Sequence, residues 1–179
     1  MAGISLKKSS QKILRILDEV VKRESVKAVI DFLVPRVEQK LKKDSEALLA
    51  WEPVPLDTYG KGLPNRIRSS WVFVVRAQAE SGAERHPNSH QYMMSYRGSG
   101  DLQVMTGEKW GSNLLVSDLG KGIESRWISI PPYTWHQAVA AKGVWVVVSF
   151  HTALEDELIE ERPDPADTQL TRQRLYLDD

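Results

Sequence analysis

The sequence predicts a mainly β domain, a small barrel or sandwich of short strands, preceded by two or three amphipathic helices. Three observations carry this. Apolar residues recur at spacings of three and four through the first fifty positions. Residues 51–68 are rich in proline and glycine. From residue 69 to residue 151 the chain breaks into short segments rich in β-branched and aromatic residues, separated by Gly, Ser, Asp and Lys.

In the 1–50 segment, Ile13, Leu14, Ile16, Leu17, Val20 and Val21 form one helical stripe, with Ser9 or Ser10 as N-cap. Val26, Val29, Ile30, Phe32 and Leu33 form a second that runs to Pro35, and Val37, Leu41, Leu48 and Leu49 a third. Such stripes need cover from the main domain or from another subunit. Residues 51–68 read as an irregular linker. The strands of the 69–151 barrel are expected at 71–77, 90–96, 102–105, 113–116, 126–130, 135–140 and 144–150. Residues 152–179 read as a short helix (TALEDELIEE) followed by an acidic C-terminal tail.

Composition narrows the function classes. The 179 residues carry 24 Lys+Arg and 24 Asp+Glu, which balance to a net charge of zero. That argues against a dedicated nucleic-acid binder. The balance is uneven along the chain, with 11 basic and 7 acidic residues in 1–50 against 3 and 9 in 152–179. Zero cysteines exclude a disulfide scaffold, a thiol nucleophile and thiolate metal sites. No apolar run of transmembrane length occurs, so no membrane partner is expected. The N-terminus has lysines but no continuous apolar stretch, so it reads as an amphipathic helix and not a signal peptide, and the expected location is cytoplasmic. Phosphate-binding glycine loops and the nucleophile elbow of hydrolases are absent from the sequence.

The four histidines, His86, His90, His136 and His151, all fall in the β region. Glu84 and His86 are two apart and share one face of a strand. His90 opens the next strand, and Tyr92 shares its face. His136 follows the double proline Pro131-Pro132. Three imidazoles and a carboxylate converging in a barrel suit a divalent first-row metal. Glu84 has three readings: a direct ligand, a hydrogen-bond partner of His86, or a solvent partner of Arg85 or Arg97. His151 ends the last strand, at the pocket or its rim. The six tryptophans read as packing residues, with Trp135 facing away from the metal.

At these residues the chain resembles the cupin superfamily. The family's first motif has the form H-x-H-x(3–4)-E followed after about six residues by a glycine turn. Glu84-x-His86-x3-His90 has that spacing with the first His and the Glu exchanged, and Tyr96–Asp101 supplies the turn. Pro131, Pro132, Thr134, Trp135 and His136 resemble the second motif in its common form I-P-P-G-T-W-H. Tyr133 departs from it at the glycine, and Ala140 departs at its usual Asn. The resemblance implies a jelly-roll (double-stranded β-helix) barrel over about 69–151 and a metal held by His86, His90, His136 and Glu84.

It further implies an enzyme acting on a small polar molecule, most simply a non-haem dioxygenase-type oxidoreductase. Fe(II) is the first choice of metal, with Zn, Mn and Ni as alternatives. A second reading is a metal-dependent lyase or isomerase in which Tyr92 or Glu84 moves a proton. Cupin lyases that cleave dimethylsulfoniopropionate are similar in their His-x3-His-x-Tyr run. A third is a non-catalytic ligand-binding cupin. A homodimer is expected in each case.

Overall fold

The computed structural model describes residues 8–177. Two helices open the chain, α1 (Lys8–Val21) and α2 (Glu24–Lys43). Eleven strands follow among the described residues: β1 (Leu49–Pro53), β2 (Ser69–Val75), β3 (Gln91–Arg97), β4 (Ser99–Thr106), β5 (Lys109–Gly111), β6 (Leu114–Val116), β7 (Trp127–Ile130), β8 (His136–Ala140), β9 (Trp145–His151), β10 (Ile159–Pro163) and β11 (Thr171–Leu175).

The helices form where the apolar periodicity placed them, with one difference. The second stripe and the first part of the third, Val37 and Leu41, belong to a single helix that runs through Pro35, whereas Leu48 lies beyond it and Leu49 opens β1. A mid-helix proline costs about 3 kcal/mol. Here Pro35 lies on the solvent side, while Val34, Val37 and Leu41 continue the buried stripe beyond it. Burying those side chains, at about 1.5–3 kcal/mol each, offsets the break.

The main sheet is antiparallel with strand order β1-β2-β9-β3-β7. The second has β4 at its centre, with β5 and β6 paired along one side and β8 on the other. Because side chains alternate along a strand, the main sheet has two distinct faces. Val72, Val74, Tyr92, Met94, Trp127, Val146, Val148 and Phe150 pack with the buried stripes of α1 and α2. Val75, Met93, Ile128, Ile130, Trp145 and Val147 pack with Leu102, Val104, Leu115 and Ala138 of the opposing sheet, forming the barrel interior. The two sheets approach closely at Gly100, where any Cβ would run into the ring of buried Trp145.

Beyond residue 151 the expected helix is not found. The residues read as TALEDELIEE run through turns into β10, which pairs with β11 as a two-stranded antiparallel hairpin. Leu158 and Glu160 are buried and Ile159 is half-buried, which a strand at the barrel mouth accommodates. The hairpin is tied down by reciprocal backbone bonds between Arg85 and Glu161. Tyr176, just past β11, is buried against Trp51, Trp71, Phe73 and His86. No helix among the described residues is long and apolar enough to cross a membrane.

Candidate metal centre

The strip 84–86 lies between β8 and the C-terminal hairpin. Glu84 and His136 exchange both backbone hydrogen bonds, each 2.9 Å long. Residues paired in this way share a face, and the Glu84 carboxylate reaches the His136 ring, with Oε1 3.5 Å from Nε2. His86, two residues on, points the same way. Its ring centroid lies 5.5 Å from that of His136. One donor atom each from Glu84, His86 and His136 falls within 4.8 Å of the others.

Hydrogen bonds behind the rings aim the lone pairs. His86 Nδ1 donates to the Ile159 carbonyl at 2.9 Å, and His136 Nδ1 to the Thr134 carbonyl at 3.0 Å. A ring that donates through Nδ1 carries its lone pair on Nε2, the arrangement that second-layer partners impose on metal-binding histidines. Nε2 of His136 is buried without a hydrogen-bond partner. Such an orphan is costly unless something occupies it. Burial holds the His86 pKa down to about 4 against the pull of the Glu84 charge, so this ring is neutral at neutral pH. For Glu84, burial favours the neutral acid, but His136 and Arg162 outweigh it and keep the group a carboxylate well below the usual range. Two imidazoles and one charged carboxylate fit a divalent cation.

His90 and Tyr92 lie elsewhere, and the expectation that they join this site is corrected here. They share a face, as expected, but it is the face turned toward the helices. Their rings stack at 4.5 Å, and His90 Nε2 bonds Ser129 Oγ at 2.7 Å. The Tyr92 hydroxyl is buried there without a partner, and burial raises its pKa. The parity of β3 explains the difference: the residue between them, Gln91, is the one that faces the barrel. The motif spacing with four intervening residues after His86 lands on Gln91, and Gly98 follows at the expected distance. The spacing with three, which selects His90, is one residue out of phase, and a slip of one reverses every side chain. Gln91 Oε1 is buried and unpartnered, and it lines the same cavity as Glu84 and His136.

His151 sits beside Gln91 in the sheet register. Its ring meets His86 edge-on at 5.1 Å and is flanked by Ser89 and Ser149. Burial, with His86 and His136 adding to it, drives its pKa well below the usual value. The expected solvent pairing of Glu84 with Arg85 or Arg97 does not occur. Arg85 pairs with Glu161 on the outer face and stacks on Trp135, whereas Arg97 pairs with Glu38. Glu84 is bound instead by Arg162 of β10, at 2.6 Å. The cavity beside the cluster measures about 30 Å³ and is lined largely by apolar side chains such as Phe73, Met93, Leu102 and Val147. Arg162 and Tyr176, from the C-terminal hairpin region, also line it.

No family model matches the chain. No curated protein matches it either. Solved structures similar to it include recombinant pro-11S globulin of pumpkin, with a TM-score of 0.48 and 18% identity over 64% of this chain and 28% of that one. An oxalate oxidase in complex with the substrate analogue glycolate has a TM-score of 0.45 and 16% identity over 60% of this chain and 53% of that one. The formate complex of Lactobacillus farciminis oxalate decarboxylase has 0.44 and 9% over 57% and 28%. The chain therefore spans from about a quarter to about half the length of these proteins, which are cupin-fold proteins. The fold is a mainly β barrel of two facing antiparallel sheets with two N-terminal helices. What chemistry it carries is a matter for its own side chains.

Proposed function

We propose that the protein is a metal-dependent cupin enzyme of the dioxygenase type, in which Glu84, His86 and His136 hold a divalent transition metal, Fe(II) by preference. The observation that supports this most is the convergence of two Nε2 lone pairs and a charged carboxylate beside a buried, unpartnered Gln91 oxygen. A bound metal would supply Lewis acidity and, for iron, the capacity to engage dioxygen alongside a small substrate.

The chain's own residues do the rest. Ile159 and Thr134 fix the two imidazole tautomers through their carbonyls. Phe73, Met93, Leu102 and Val147 give the cavity an apolar lining. About 30 Å³ holds a molecule the size of water. A larger substrate needs lining side chains other than Arg162, such as Tyr176, to move.

The geometry weighs against proton transfer by Tyr92, whose hydroxyl is sealed behind the sheet, so the lyase reading loses its first candidate base. Nitric oxide serves as a probe for a position open to a diatomic ligand. Added to the protein loaded anaerobically with Fe(II), it is expected to produce the half-integer-spin EPR signal of an iron–nitrosyl adduct at about one spin per chain. An Fe(II)-loaded protein that remains EPR-silent would contradict the dioxygenase reading.

A further inference from the structure

Glu84 stands where the family motif has a histidine. An imidazole whose Nδ1 is occupied offers one donor atom in one direction. A carboxylate offers two oxygens and can rotate, so a well-defined ligand at this position needs its second oxygen held.

Arg162 does this from the hairpin. Its NH2 group donates to Glu84 Oε2 at 2.6 Å, leaving Oε1 as the oxygen turned toward His136 Nε2. The guanidinium is itself fixed on its other sides. Nε donates to Glu160 Oε1 at 2.8 Å, NH2 also to Glu160 Oε2 at 3.3 Å, and NH1 to the Ser81 carbonyl at 3.2 Å. Glu160 is only 1% exposed and is held in turn by Arg174 at 3.0 Å. A charged fork gripped from three directions is a rigid lever.

We propose that Arg162 is a positioning residue for the metal, pinning Oε2 of Glu84 so that the carboxylate presents Oε1 as a single, directed ligand. This rests on the metal-site reading above. The C-terminal hairpin then supports two of the three ligands, through Arg162 on Glu84 and through the Ile159 carbonyl on His86.

The test titrates metal-stripped full-length protein with Co²⁺ and follows the visible d–d bands. Arg162→Gln is expected to bind Co²⁺ about 10–100-fold more weakly and to shift the bands as Oε2 becomes free to coordinate. Arg162→Lys, which keeps the charge and loses the fork, is expected to fall between it and the unsubstituted protein, and it decides the matter if Arg162→Gln does not fold. In a Glu84→His background, which has no second oxygen to hold, Arg162→Gln is expected to cost no further affinity. Equal affinity and equal spectra in the Arg162 variants would overturn the proposal while leaving the metal site standing. So would the same fold-loss in the Glu84→His background, which would mark a general structural role. Absence of Co²⁺ binding by the unsubstituted protein would overturn both the proposal and the site.

Discussion

Asp18→Asn is expected to destabilise the protein by about 3–5 kcal/mol, the usual cost of removing one partner from a buried ion pair. Asp18 projects from α1 and is 7% exposed, and Arg126, at the entry to β7, is 3% exposed. The two form a bidentate pair with contacts of 2.5 and 2.7 Å. Trp127 Nε1 donates to the same carboxylate at 2.8 Å, and Lys22 reaches it at 2.7 Å. Asparagine would leave the Arg126 charge buried without its counter-charge.

The same pairing sets a pH dependence. Burial pushes the Asp18 pKa up, but Arg126, Lys22 and Trp127 outweigh it and bring the group from 3.8 down to about 2. A folded-state pKa below the unfolded one contributes stability that is complete above about pH 4 and is lost as the pH falls through about 2. The shift corresponds to about 2 kcal/mol. Denaturant unfolding at pH 7, 4 and 2.5 should show this component in the unsubstituted protein and its loss in Asp18→Asn. A variant within 1 kcal/mol of the unsubstituted protein at pH 7 would contradict the account of how α1 is anchored.

Metal is expected to raise the thermal midpoint of metal-stripped protein by about 5–10 °C when added at roughly a hundred times its dissociation constant. Binding to the folded state alone then contributes about 2.7 kcal/mol, and a domain of this size gains about 2–4 °C per kcal/mol. The physical origin lies in the partly buried Glu84 charge and the orphaned His136 Nε2, whose desolvation a cation relieves. His86→Ala should fold and show almost none of the rise. An equal rise in His86→Ala would place the binding elsewhere on the chain.

Much of this was legible in the residues. The helical stripes, the strand-rich middle and the paired motifs led to the barrel, and Glu84, His86 and His136 were all among the candidate ligands. Parity was the weak point. The sequence between His86 and β3 contains Pro87 and Asn88, and alternation cannot be counted through such an irregular stretch. His90 and Tyr92 therefore could not be assigned a face without the register of β3 against β9. A histidine also outranked a glutamine as a ligand candidate, which hid Gln91. Arg162 carried no local signal, because its role is created by the hairpin folding back across 78 positions to Glu84. The acidic stretch before it looks helical in composition. What makes it a strand is the pairing of β10 with β11 and with the Arg85 backbone, a tertiary effect that overrides local propensity.

The most direct test compares metal content in His90→Ala and His136→Ala, each expressed with Fe(II) supplied, purified without chelator and analysed for metal per chain. The account predicts about one metal per chain in the unsubstituted protein, the same in His90→Ala, and almost none in folded His136→Ala. Loss of metal in His90→Ala with retention in His136→Ala would contradict it.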